Sequence, residues 1–165
     1  MMMQSRPLGA PLPDDTWAQI LELKIDGTDK AVRQALQHLL VNFTKARLSQ
    51  DDIEHAQIVL GEALNNIVEH AFVNRNDGHI GLKSFRSKKT LKVVIMDDGA
   101  EMPNGIPPYD PQPEITVDLD QLPEGGFGWH MIRTLTDRFE YKRDANCNIL
   151  TVHIPISPTS LMPHT

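Results

Sequence analysis

The chain has 165 residues, of which 40% are hydrophobic and 23% charged, the proportions of an ordinary globular domain large enough to bury a core. A net charge of −6 argues against a nucleic-acid partner, whose phosphates favour a basic face, and the single cysteine, Cys147, excludes an intrachain disulfide framework. No stretch approaches the roughly 18 apolar residues needed to span a bilayer. The opening Met1-Met2-Met3-Gln4-Ser5-Arg6 lacks the apolar core of an export signal, so the expectation is a cytoplasmic protein with no membrane contact.

Residues 1–15 carry Pro7, Pro11 and Pro13 without periodicity and read as a flexible N-terminal arm. One domain is expected over 16–156, with 157–165 as a C-terminal tail. Trp17 to Ile25 reads as a first strand. Thr28 can cap a helix to about Arg47, with Val32, Leu36, Leu39, Leu40 and Phe43 on its apolar stripe. Ser49-Gln50-Asp51-Asp52 resembles a capping box with Asp in place of Glu and opens a second helix, expected to reach Phe72.

After Asn74-Arg75-Asn76-Asp77-Gly78 the pattern turns to strands, at 79–86 and 90–97. The basic run Arg86-Ser87-Lys88-Lys89 between them reads as a hairpin turn rather than a phosphate patch. Residues 100–126 hold six of the twelve prolines and have no period, as expected of a functional lid or a disordered segment. A short helix is expected from about Gly128 to Thr136, then strands near 138–144 and 148–156. This order predicts an α+β fold, a two-layer sandwich with helices on one face of a mixed, mostly antiparallel sheet.

Three segments stand out against that frame. The second helix contains Asn65 and Asn66, each costing roughly 0.5 kcal/mol in helix propensity against alanine. With Glu62 at zero on a helical wheel, Asn66 falls near ~40° and His70 near ~80°, opposite the apolar residues Leu60, Ile67 and Ala71. A carboxylate, an amide and an imidazole on one ridge suit chemistry, although a solvated face explains them too. The second segment is Val93-Val94-Ile95-Met96-Asp97-Asp98-Gly99. An acid at the end of a buried strand can accept a hydrogen bond from a ligand amine, and a glycine permits close backbone approach; a plain Asp-Gly turn is the bland alternative. The third, Glu124-Gly125-Gly126-Phe127-Gly128-Trp129, runs into a helix whose free N–H groups suit phosphate. No strand precedes it, so it fits neither the dinucleotide fingerprint nor the Walker loop.

In order and separation the three segments resemble the GHKL (Bergerat-fold) ATPase superfamily, which includes histidine kinases and gyrase. Glu62-x-x-x-Asn66 looks like its N box, Asp97-x-Gly99 its first glycine box and Gly126-x-Gly128 its second. The run Glu62-Ala63-Leu64-Asn65-Asn66-Ile67-Val68-Glu69-His70-Ala71 is similar to that of anti-sigma factor serine/threonine kinases. So are Met131-Ile132-Arg133 with Asp137 and the closing Asn148-Ile149-Leu150-Thr151.

The resemblance implies an ATP-dependent serine/threonine kinase that acts as an anti-sigma regulatory factor. Such a protein phosphorylates an anti-sigma-factor antagonist and sequesters a sigma factor, and it can form a homodimer. By carry-over Glu62 is the general base, Asn66 the Mg²⁺ ligand and Asp97 the acceptor of the adenine amine. Gly99 lets the base approach the backbone, Gly125, Gly126 and Gly128 cradle phosphates, and His70 and Thr151 complete the ATP pocket. Phe127 stands where relatives often carry Arg, and Ala100-Glu101 replaces a second glycine. Arg133 and Lys83 are therefore the remaining candidates for a phosphate-facing cation. The alternatives are a non-catalytic nucleotide-gated binding module and the ATPase module of a two-component histidine kinase system.

Overall fold

Strand β1 (Ala18–Asp26) ends where Thr28, in extended backbone, accepts a hydrogen bond on its hydroxyl from Ala31 N–H (3.2 Å) and so starts helix α1 (Asp29–Lys45). The structure, a computed structural model, describes residues 16–105 and 127–158. The expected arm, Gly125 and Gly126, most of the 100–126 segment and the tail beyond residue 158 lie outside the described residues. Helix α1 buries Val32, Ala35, Leu39 and Phe43, the stripe a 3.6-residue period dictates.

Ser49 caps helix α2 (Gln50–Asn66) through Asp52 N–H (3.1 Å). The return half of the expected capping box is not made. The buried Asp52 carboxylate instead accepts from Ser157 N–H (2.9 Å), across 105 residues, and so holds the chain where it leaves the sheet.

Helix α2 also stops short of Phe72. Its α-helical part ends at Asn66 and a π-helical turn, Ile67–Ala71, follows. Phe72 N–H bonds to Ile67 O (3.2 Å), and the Ala71 carbonyl leaves the helix to accept from Ala100 N–H (2.9 Å). Turns of this kind concentrate at functional sites.

Strands β2 (His79–Arg86), β3 (Thr90–Asp97), β4 (Arg138–Asp144) and β5 (Cys147–Pro155) complete a five-stranded sheet in the order β1-β2-β3-β5-β4. Helix α3 (Phe127–Leu135) precedes β4. The expectation of an α+β fold holds, but the sheet is not mixed, because every strand pairing is antiparallel. Two helices between β1 and β2 bring the chain back in the opposite direction. β3 and β4 do run the same way, yet β5 lies between them as the return arm of a hairpin.

The helices cover one face, where Leu91, Val93 and Ile95 of β3 and Leu150, Val152 and Ile154 of β5 meet Leu60, Ala63 and Leu64 of α2. The alternating burial of β3 and β5 follows from the two-residue period of a strand. On the other face Lys92 sits over the rings of Trp17 (4.4 Å) and Phe85 (5.0 Å), and Trp17 meets His153 edge-on at 6.4 Å. Among the described residues no helix is long and apolar enough to cross a membrane.

Candidate functional site

A cavity of about 470 Å³ opens between the end of α2, its π-helical turn and the β3–β5–β4 side of the sheet. Ala63, Ile67, Met102, Trp129 and Leu150 give it apolar walls; Asn66, His70, Asp97, Glu101, Tyr141 and Asn148 supply the polar groups. A mostly apolar cavity with a few converging polar groups is the usual form of a small-molecule site.

Asp97 ends β3 on the core side and is 6% exposed. Its Oδ1 accepts from Gly99 N–H (2.9 Å) and from Asn148 Nδ2 (2.8 Å). Among the described residues its second oxygen carries no hydrogen bond. Burial pushes the Asp97 carboxyl above its ordinary pKa, and the bonds from Asn148 and Gly99 pull it partly back; Asp98 raises it and Arg143 lowers it more weakly.

Asn148 in turn has every polar atom engaged. Its Nδ2 also donates to Ala100 O (2.8 Å), and its Oδ1 accepts from Tyr141 OH (2.8 Å) and Arg143 Nη1 (2.7 Å). Two donors on the oxygen fix which way round the amide stands.

Asn66 closes α2 at the opposite wall. Its Nδ2 is buried with no hydrogen-bond partner among the described residues, a cost of about 1–3 kcal/mol that a bound group could relieve. Among the described residues no cluster of three or more His, Cys, Asp or Glu could hold a metal. A metal here would rest on Asn66 and on ligand oxygens, which is the habit of Mg²⁺.

One helical turn earlier stands Glu62, half-buried, facing the start of α3. A Cβ on Gly128 would lie 2.5 Å from Glu62 Oε2, so only glycine lets the first turn of α3 pass this close to the carboxylate. Behind it Trp129, 3% exposed, packs on Phe139 with ring centroids 5.9 Å apart and walls the cavity.

The other sequence candidates are placed unevenly. His70 does line the cavity, with its side chain 66% exposed, but the π-helical turn breaks the straight ridge expected through Glu62, Asn66 and His70. Gly99 is needed for a different approach than expected: a Cβ there would meet Ala71 Cβ and O at 2.6 Å, so the glycine admits the π-helical turn. Thr151 lies opposite Val94 on the sheet face away from the helices, outside the cavity. Lys83 shares that face, 3.5 Å from Glu22, and Arg133 stacks over Phe139 at 4.9 Å. Neither cation lines the cavity.

Sequence reasoning passed over the roles of Asn148, Tyr141, Arg143 and Trp129. One signal was available: Asn148 is the lone polar residue in the inward row completed by Leu150, Val152 and Ile154.

Residues 25–154 match the histidine kinase-like ATPase domain. The chain belongs to that family. It is 32% identical to the serine-protein kinase RsbW of Bacillus licheniformis over 111 residues, 64% of this chain and 67% of that protein. With the RsbW of Bacillus velezensis the identity is 26% over 141 residues, 81% of this chain and 84% of the other. A solved structure of RsbU and RsbW domains from Mycobacterium tuberculosis superposes with a TM-score of 0.59 at 16% identity, over 85% of this chain and 33% of that one, and so shares the fold.

Proposed function

We propose that this chain is an ATP-dependent serine/threonine protein kinase acting as an anti-sigma regulatory factor. It transfers the γ-phosphate of ATP to a serine of an anti-sigma-factor antagonist and sequesters a sigma factor. One observation carries the reading: a buried, fixed carboxylate at one end of an apolar cavity, and at the other the Asn66 amide, its buried nitrogen free to donate to a ligand oxygen, with a second carboxylate one helical turn away. The relatives named serine-protein kinases support the choice of reaction.

The residues present fit both ATP and Mg²⁺. Asp97 would accept the adenine amine on its unbonded oxygen, and Ile67, Met102 and Leu150 would give the base apolar walls. Asn66 would hold Mg²⁺ through its amide oxygen, and Gly125, Gly126 and Gly128 would offer their amides to the phosphates. Bound MgATP supplies the phosphoryl group and neutralises much of its charge. Glu62 then has one task. Its carboxylate takes the proton of the serine hydroxyl as that oxygen bonds to the γ-phosphorus and the bond to ADP breaks. Phosphoryl transfer asks the protein mainly for position and electrostatics, so one base and one metal ligand suffice.

Incubation with MgATP and the cognate antagonist should label one serine, and Glu62→Gln should lower that rate by 10²–10⁴-fold, the usual worth of general base catalysis. Undiminished labelling by the variant removes Glu62 from the mechanism. Labelling absent even with wild type, alongside intact MgATP binding, leaves a nucleotide-gated binding module instead.

A further inference from the structure

The polar network behind Asp97 extends further than base recognition needs. Tyr141 OH, a cavity-wall group on β4, donates to Asn148 Oδ1 (2.8 Å) and accepts from Met102 N–H (3.0 Å). Arg143, two residues along the same strand, sends one Nη1 to both Asn148 Oδ1 (2.7 Å) and Gly99 O (3.0 Å). Two side chains of one strand therefore hold the same amide oxygen, and each also grips the backbone of the 99–102 segment that forms the cavity rim.

The chemistry of an amide makes this arrangement consequential. Asn148 turned over would set its oxygen against the Asp97 carboxylate, acceptor facing acceptor, and would waste its nitrogen on two donors. Tyr141 and Arg143 forbid that state, since only an oxygen can satisfy both. With Nδ2 directed at Asp97 Oδ1, the second carboxylate oxygen is the free acceptor at the cavity. The remaining charges near Asp97 have other engagements or face it across space: Asp98 is 3.7–3.8 Å from Arg75 and His79, while His70 and Glu101 stand on the cavity rim.

We propose that Tyr141 and Arg143 are positioning residues that set adenine selectivity by holding Asn148 in the orientation that keeps Asp97 a one-sided hydrogen-bond acceptor. The inference rests on the nucleotide reading above. Neither residue touches the base through its hydrogen bonds; both act through Asn148.

Calorimetric titration of the full chain with ADP and with IDP, whose base lacks the exocyclic amine, tests this directly. Tyr141→Phe keeps the aromatic wall and Arg143→Met keeps the aliphatic stem. Each should weaken ADP by about five- to tenfold, the worth of one buried hydrogen bond, and change IDP by less than twofold. In an Asn148→Ala background the same changes should have no further effect on ADP. Equal losses for ADP and IDP would mean a merely structural wall, and unchanged ADP affinity in both variants would overturn the role. A wild-type chain that binds neither nucleotide fails the nucleotide reading itself, a result distinguishable from either of those.

Discussion

The two ends of the cavity are built on opposite principles. At the sheet end Asp97, Asn148, Tyr141 and Arg143 are buried or half-buried and bonded to one another, so the geometry exists before any ligand arrives. At the helix end Asn66 carries an unpartnered buried nitrogen, Glu62 is half-buried and His70 faces solvent. A closed network suits discrimination, because a wrong base leaves fixed groups unpaired. The open end suits charge that enters with a substrate and leaves with it.

A pair of glycines breaks this comparison most sharply, one at each end. Gly128→Ala presses on the far end of the Glu62 side chain, which can swing away, and alanine is the better helix former by about 1 kcal/mol. The fold should be retained with an unchanged or raised melting temperature, while antagonist phosphorylation falls by about 10²-fold as the carboxylate is displaced. Gly99→Ala presses instead on Ala71 backbone, which has no such freedom. It should cost about 1–3 kcal/mol of stability, measurable by urea denaturation. If both variants lose stability alike, the ends are not differently built.

Removing the charge at the sheet end comes next in size. Asp97→Asn should keep the fold but weaken ADP by about 10–100-fold in a titration, since a hydrogen bond to a charged acceptor is worth about 1.5–3 kcal/mol. The acid dependence of binding follows from the same residue. Because burial raises the Asp97 pKa, ADP affinity should fall as pH drops through that raised value. The effect on stability has the opposite sign. The folded chain holds this proton more tightly than the unfolded one, so the Asp97 contribution is greatest below the ordinary value of 3.8 and is lost as pH rises through the folded pKa. Binding and melting measured over one pH series separate the two.

The helix end was the more legible in the sequence and the sheet end the less so, for a physical reason. Glu62 and Asn66 lie one turn apart on one helix, and helical periodicity alone brings them together. The strand alternation likewise placed β2 and β3 at 79–86 and 90–97, where the structure has them. Asn148 meets Asp97 only because β5 enters between β3 and β4, a pairing across 51 residues that no local pattern announces. Thr151 entered the expected pocket by resemblance alone, whereas the two-residue alternation with Leu150 and Val152 puts it on the opposite face of the sheet. The π-helical turn was hidden too, since its cause is the docking of Ala71 against Gly99 and Ala100 rather than any propensity in Ile67–Ala71.

The smallest expected effect concerns a second orphan. Ser84 faces the core from β2, in register with Leu21 and Val93, and its hydroxyl is buried with no partner among the described residues, as the Asn66 nitrogen is. The two look alike as defects and differ in place. Ser84 lies outside the cavity, so nothing that binds there can satisfy it. Ser84→Ala should therefore stabilise the chain by about 1 kcal/mol, a shift of a few degrees in melting temperature, with ADP affinity unchanged. Asn66→Ala relieves the same kind of cost but should abolish the Mg²⁺-dependent part of nucleotide affinity. A stabilised Ser84→Ala with weakened ADP binding would show that the orphaned hydroxyl, too, is tied to the site.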